Sequence, residues 1–306
     1  MLRKLIIITG PTGVGKTALG IEIALELGGE IISADSRQLY RYMDIGTAKP
    51  SRLEQARVKH HCLDLIEPGE RYSAGQFAQH ARALIENMWN RRIVPVIVGG
   101  TGLYIQALLD GLWEEEQPVG AVRAGLLHRL ETAGLGELYE ELGRVDPIAQ
   151  ARLAEGDTQR VLRALELALS TGSKGGIGAD PLACTPLAFC LCRDRDHLYH
   201  RIGQRVDEMV QKGLVAEVKD LLSKGYNRST YALQSMGYEE VLDTLEAKCT
   251  WEEAIAKIKL NSRQYAKRQL TWFRKDRRFR WINLDTWGVE GGRERVVGQF
   301  RNRIGF

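Results

Sequence analysis

The sequence predicts an α/β fold, a parallel sheet covered by helices on both faces and interrupted by a mainly helical insertion. Three observations carry that expectation. Short apolar runs alternate with helix-like segments near the start: Leu5-Ile6-Ile7-Ile8, Glu30-Ile31-Ile32-Ser33-Ala34 and Ile93-Val94-Pro95-Val96-Ile97-Val98. Strands that are apolar throughout, rather than at every second residue, are buried on both sides, as in parallel sheets. Each run ends in a loop with Gly, Asp or Ser, and parallel sheets bind ligands at the carboxyl ends of their strands. The third observation is a change of period. From about Leu112 to Leu169 the β signal gives way to helical spacing, as in Leu126, Leu127, Leu130, Leu135, Leu138 and Leu142, then Val161, Leu162, Leu165 and Leu169.

The elements follow in order. After the first run comes a Gly-rich turn, then a helix-like segment from Lys16 to Leu27. The insertion is entered through the acidic stretch Glu114-Glu115-Glu116-Gln117-Pro118 and left near the Gly-rich segment Gly172–Gly178. Leu187-Ala188-Phe189-Cys190-Leu191-Cys192 is a strand that returns the chain to the sheet, and Trp251 to Arg280 reads as one long helix. The expected organisation is a core of residues 1–111 and 185–306 with a mainly helical insertion over 112–184. At about 150 residues per domain, a chain of 306 residues fits that division.

Composition narrows the setting. Hydrophobic residues at 44% and charged residues at 27% suit a globular protein with a sizeable core. No apolar stretch is long enough to cross a bilayer, and the amino-terminal run leads into a glycine loop rather than a cleavage site. Five scattered cysteines imply free thiols in a reducing compartment, so a cytoplasmic location is expected. A monomer is expected as well, though no residue pattern fixes the oligomeric state. The net charge of +4 names no partner by itself. Its distribution says more: between Arg263 and Arg280 the only acid is Asp276. That basic side, with Lys257, Arg263, Lys267, Arg268, Arg274, Lys275 and Arg278, suits a phosphate backbone. The opposite stripe of Trp251, Ile255, Ile258, Tyr265, Ala266, Trp272 and Phe273 reads as core rather than a base-stacking platform.

Gly10-Pro11-Thr12-Gly13-Val14-Gly15-Lys16-Thr17 fits the pattern G-x-x-x-x-G-K-[ST] between an apolar strand and a helix, so the sheet is expected to be P-loop NTPase-like. Glycines let backbone N–H groups turn inward around phosphate oxygens, and the helix N-terminus adds its dipole. Lys16 is placed to neutralise phosphate charge and the Thr17 hydroxyl to ligate Mg²⁺. This identifies a di- or triphosphate site and no particular reaction. Asp35, at the end of the second strand, could be a metal ligand, a general base or a helix cap. Gly99-Gly100-Thr101-Gly102-Leu103-Tyr104 supplies flexible backbone and a hydroxyl at the same edge, or simply a tight turn that opens a helix.

Taken together these loops resemble the bacterial tRNA dimethylallyltransferase family. The resemblance rests on the phosphate loop, on Asp35–Gln38 with Met43–Pro50, and on Gly99–Tyr104. It extends to Gln159–Glu166, Met236-Gly237-Tyr238 and Arg268–Arg274, in order along nearly the whole chain. It implies that the loop from Gly10 to Thr17 holds the diphosphate of dimethylallyl diphosphate with Mg²⁺. The acceptor would be the exocyclic amine of adenosine 37, beside the anticodon of tRNAs that read codons beginning with U. By the same resemblance Asp35 is the base, Thr101 lies near the reacting groups, and Arg205 contacts the leaving group. Asp35, Ser36, Arg37, Gln38 and Thr101 would touch the flipped adenosine and its neighbours. Gln159, Arg160, Val161, Leu162 and Arg163, with Arg123, would contact the anticodon stem-loop from the insertion. The residue-level alternatives are a solvated helix face for His197, Arg201 and Arg205, and pairing with Glu166 for Arg160 and Arg163. The chain departs from the family after Thr171-Gly172, where a Pro–Ser pair is common and Ser173-Lys174-Gly175-Gly176 stands instead.

Three rival functions share parts of this pattern. A small-molecule kinase explains Lys16 and Thr17 but neither the basic helix nor Gln159–Arg163. An adenine-nucleotide isopentenyltransferase keeps the chemistry with a smaller acceptor, which the insertion disfavours. An RNA-binding module with a vestigial phosphate loop is at odds with intact Lys16, Thr17 and Asp35. Cys190 and Cys192 with His197 and His200, and His60-His61-Cys62, fit no usual zinc spacing and read as buried or incidental. Nothing matches the C-terminal zinc finger of eukaryotic relatives.

Overall fold

A computed structural model describes residues 3–111, 120–171 and 181–302. Both expected borders of the insertion, Glu114–Pro118 and Gly172–Gly178, lie outside these residues, as does Ser173–Gly176. The chain runs β1 (Ile6–Thr9), α1 (Lys16–Leu27), β2 (Gly29–Ser33), α2 (Arg52–Arg57), β3 (His60–His61), α3 (Ala74–Asn90), β4 (Val94–Val98) and α4 (Gly102–Asp110). Three helices follow, α5 (Gly120–Val145), α6 (Pro147–Arg152) and α7 (Thr158–Thr171). The chain then continues through β5 (Leu187–Cys192), α8 (Arg195–Gln211), α9 (Leu214–Ser223), α10 (Tyr238–Leu245), α11 (Trp251–Arg274), β6 (Phe279–Asn283) and α12 (Leu284–Asn302). No helix among the described residues is long and apolar enough to cross a membrane.

The six strands form one wholly parallel sheet in the order β3-β2-β4-β1-β5-β6. Strand β1 lies inside it, with Ile7 opposite Ile97 of β4 and Ala188 of β5. Ile6, Ile7 and Ile8 are fully buried, which is why the run is apolar at every position. Chain order runs one way from β1 through β4 and β2, and the other way through β5 and β6. The loop after β1 therefore emerges at a switch point, where such sheets open a crevice.

Packing at that edge is close. Gly99 follows β4, and a Cβ there would lie 2.1 Å from the Ala34 carbonyl oxygen, so a side chain has no room. The Thr101 N–H donates to that same carbonyl at 3.1 Å, the Gly99 N–H donates to Ile8 O at 3.2 Å, and the Thr9 hydroxyl donates to Gly99 O at 2.8 Å. The loops after β1, β2 and β4 are thereby stitched together, as their position at the strand ends requires.

Two expectations are corrected. The helix expected over Trp251–Arg280 ends at Arg274; Asp276 turns the chain by accepting the Arg278 N–H, and Phe279–Asn283 becomes the edge strand β6. Phe279 packs edge-on against Phe273 with ring centroids 5.1 Å apart, so burial of one aromatic outweighs continuation of the helix. The buried stripe of α11 keeps Ile258, Ala266 and Phe273 of the expected one but not Trp272, and Trp251, Ile255 and Tyr265 are only half-buried. The stripe is Ala254, Ile258, Ser262, Ala266, Gln269 and Phe273, while Trp272 is 39% exposed.

The described residues fall into two compact units, Leu109–Pro181 and the remainder. The smaller unit has its own core of Leu126, Leu138, Leu142, Val161, Leu162 and Leu165, and α5 is broken at Gly134, where φ is 83°. Leu127 and Leu169, read as part of that apolar face, are instead exposed.

Candidate active site

The phosphate-type loop joins β1 to α1 through backbone that only glycine adopts without strain. Gly10 has φ 140°, and a Cβ there would meet the Leu191 carbonyl oxygen at 2.5 Å. The N-cap of α1 is Gly15, and no side chain caps the helix, so its first N–H groups remain available to an anion. Lys16 is folded back onto its own loop, donating to Gly10 O at 3.0 Å and Pro11 O at 2.9 Å. Burial pushes its amine down to about 8; the Arg205 charge pushes the same way, and Asp35 opposes both. Burial likewise lowers the Arg205 guanidinium, with Asp35 and then Glu208 opposing the shift.

Asp35, Lys16, Thr17, Ser33, Gln38 and Gly99 line one cleft. No helix follows Asp35; the chain from Ser36 to Leu39 is a turn, so the helix-cap reading fails. One carboxylate oxygen accepts the Arg37 N–H at 2.9 Å, a local turn that fixes the side chain's direction. The Thr101 hydroxyl accepts the Ser36 N–H at 3.0 Å and is hydrogen-bonded to the Tyr265 phenol, whose pKa burial raises to about 12. Arg205 donates to Thr47 O at 3.5 Å, at the far side of the same group.

The helical stripe is exposed at His197 and Arg201, as a solvated face would be, and half-buried at Arg205, but each member is engaged. Arg201 holds the loop carbonyl of Gly13 at 3.0 Å, Arg193 holds that of Val14 at 3.0 Å, and His197 pairs with Asp285 at 3.2 Å. Carbonyls that face outward when the loop's N–H groups face inward are thus satisfied by cations from one side.

Gln38 lines the cleft, and its amide accepts from Ser33 and donates to Ala48 O at 3.1 Å. Ser36 and Arg37 are half-buried in the same turn. The insertion residues form a separate group. Arg123 and Arg163 both pair with Glu166, at 2.6 and 3.2 Å, and Glu166 is 1% exposed. Arg160 pairs with Asp157 at 3.4 Å. The pairing alternative therefore describes the geometry of Arg163, whose side chain is nevertheless nearly half exposed. Val161 and Leu162 are buried in the insertion core, so their side chains do not face a nucleic acid. Gln159, Arg160 and Arg163 are the exposed members of that segment.

Three positioning residues escaped the sequence reading. Gln269 of α11 accepts the Thr12 N–H at 2.8 Å and donates to Gly100 O at 2.9 Å, bridging the first and third loops. Its signal was a polar residue within a buried helical stripe. Tyr265 was assigned to core packing. Glu217 of α9 accepts the N–H groups of Asp44, Ile45 and Gly46 at 2.8, 2.7 and 3.0 Å and the Tyr238 hydroxyl at 2.6 Å. That carboxylate fixes the loop carrying Thr47, and nothing in its sequence context marks it.

The thiols are held protonated. Burial raises Cys62 and Cys190 to about 12, and Cys192 shifts the same way. His60 bonds Val58 O at 2.7 Å and His61 bonds Glu30 at 2.7 Å.

The sequence and the fold are similar to those of known proteins. The family model described as "IPP transferase" matches residues 38–276, and one described as "Isopentenyl transferase" matches residues 3–66. A tRNA dimethylallyltransferase of Carboxydothermus hydrogenoformans is 43% identical over 304 residues, covering 97% of each chain. Among solved structures, the full-length tRNA isopentenylpyrophosphate transferase from Bacillus halodurans is 38% identical with a TM-score of 0.72, covering 98% of this chain and 97% of that one. A eukaryotic dimethylallyltransferase acting on tRNA is 27% identical with a TM-score of 0.80, covering 98% and 80%.

Proposed function

The chain belongs to the IPP transferase family, and from that premise we propose that it transfers a dimethylallyl group from dimethylallyl diphosphate to the exocyclic amine of an adenine in tRNA. The observation that carries this reading is the single cleft lined by Lys16, Thr17 and Asp35. It brings a carboxylate together with the Lys16 and Thr17 side chains of the phosphate-type loop, which supports the reading. The acceptor we assign is adenosine 37, beside the anticodon, in tRNAs reading codons that begin with U.

The nitrogen attacks the allylic carbon, the carbon–oxygen bond breaks, and diphosphate leaves. Lys16, the free N–H groups of the α1 N-terminus and Arg205 stabilise the leaving charge. Asp35 takes the proton that the nitrogen sheds as its new bond forms. Its Arg37 N–H bond holds one oxygen, leaving the other for the amine. Thr101, oriented by Ser36 and Tyr265, hydrogen-bonds at the same edge. Thr17 and Asp35 put hard oxygen donors in the cleft, the donor type that Mg²⁺ takes, and Thr17 would hold the ion. Mg²⁺, when bound, would supply charge neutralisation of the diphosphate. An adenine stacked in the anticodon loop must be turned out to enter a cleft of this kind.

Incubation with unmodified tRNA and dimethylallyl diphosphate, followed by digestion and mass analysis, should give prenylated adenosine. Phosphate transfer from labelled ATP to a small acceptor, with no prenylated nucleoside, would establish the kinase alternative instead.

The outer face of α11, with the turn that follows it, is the surface we assign to the RNA backbone. Lys267, Arg268, Arg274, Lys275 and Arg277 are exposed, whereas Lys257 pairs with Asp243 at 3.1 Å and Arg278 with Asp276 at 2.6 Å. If about four of these cations meet phosphates, tRNA affinity should fall roughly 100-fold between 50 and 200 mM salt. Filter binding across that range measures the slope, and a flat response removes this surface from the interface.

A further inference from the structure

A second cavity adjoins the phosphate loop, and most of its wall is apolar. Thr12 of the loop and Arg205 border it, and Val206, Met209, Met236 and Ile258 line it. Ser262 is a further polar residue of the wall; Thr12 and Arg205 also belong to the site assigned to the diphosphate, so the cavity begins where the leaving group would be held. Its volume is about 50 Å³. An engineered apolar cavity that binds benzene has roughly 150 Å³. A five-carbon allylic group is close to benzene in size, so it enters only if a wall side chain yields, and a ten-carbon group has no room.

The two methionines differ in their freedom to yield. Methionine is unbranched and adapts readily to irregular space. Met236 is restrained: the Ser262 hydroxyl, buried in the α11 stripe, donates to its Sδ at 3.4 Å. Its neighbour Gly237 has φ 94°, a conformation that fixes the backbone at the start of α10. Met209 on α8 has no such tether to its sulfur among the described contacts.

We propose that Met236, pinned by Ser262, is the wall that limits the length of the allylic chain, while Met209 is the side that gives way to admit five carbons. This inference rests on the reading of the donor as an allylic diphosphate. It makes Met236 a specificity determinant that contacts the hydrocarbon end of the donor and takes no part in the chemistry.

The test compares dimethylallyl with geranyl diphosphate, using tRNA as acceptor and product mass as readout. Met236→Ala should raise the geranyl-to-dimethylallyl ratio of kcat/KM by at least about 10-fold, the scale on which apolar pockets discriminate chain length. Met236→Phe should work in the opposite direction, lowering kcat/KM for dimethylallyl diphosphate mainly through KM. Ser262→Ala, which frees the thioether without removing it, should raise the ratio by a smaller factor. An unchanged ratio in Met236→Ala, with dimethylallyl transfer retained, overturns the proposal. Should Met236→Ala fail to fold, as judged by its thermal transition, an unchanged ratio in Ser262→Ala overturns it equally. A wild-type protein that transfers neither chain defeats the functional reading itself, and is thereby told apart from failure of the specificity assignment.

Discussion

Asp35→Asn should slow prenyl transfer by about 10²- to 10⁴-fold, the usual contribution of a positioned base, while tRNA affinity changes by less than about 2-fold. In free energy that is roughly 3–5 kcal/mol of barrier. The isostere is the informative change because the amide oxygen still accepts the Arg37 N–H that shapes the turn. Asp35→Ala removes base and turn together and should be at least as slow. Loss of transfer in both variants, with tRNA binding intact, places the carboxylate in the chemical step. Single-turnover rates with saturating tRNA measure that step directly, and wild-type turnover by Asp35→Asn would remove Asp35 from the mechanism.

Lys16→Met should lower kcat/KM by roughly 10²- to 10³-fold, comparable to losing one preorganised donor to a developing charge. The pH dependence of donor binding provides an independent check. With its pKa down at about 8, the Lys16 amine is protonated below that value and neutral above it in the free protein. Diphosphate favours the ammonium. Affinity should therefore be level below about pH 8 and fall toward 10-fold per unit above it. The effect on folding has the opposite sign. The unfolded amine retains its proton up to its ordinary value of 10.5, so this group makes the fold more stable as pH rises from about 8 to 10.5. Calorimetric titration of dimethylallyl diphosphate from pH 7 to 10 measures the first behaviour, and denaturant unfolding over the same range measures the second. Lys16→Met should show no such decline.

What the sequence disclosed follows from which interactions are local. Strand β1, the glycine turn and α1 occupy consecutive residues, and each needs its own residue types whatever lies around it, so all three were readable. The convergence of the Asp35 and Thr101 loops was readable too, because parallel strands place their carboxyl ends together. The end of α11 was not, since Arg277, Arg278 and Arg280 continue a helical charge pattern and only the Phe273–Phe279 contact reveals the turn. Gln269, Tyr265 and Glu217 act mainly through partners far away in the chain, as with the 169-residue separation of Gln269 and Gly100. Composition carries no trace of such a pairing. Val161 and Leu162 lay within a matching segment, yet the helical period that puts them in the core was already visible beside them.

The bridge made by Gln269 between Thr12 and Gly100 also bears on how the protein is synthesised. Domains begin to fold from the N-terminal side during synthesis, at about 5–20 residues per second. Here the first loop in the chain waits for a side chain that the ribosome supplies 257 residues later. A nascent chain can pair β1 with β4 well before α11 emerges, but its Gly-rich loop stays unbraced until then. Premature termination anywhere before Gln269 thus yields a polypeptide with an intact signature and a slack binding loop.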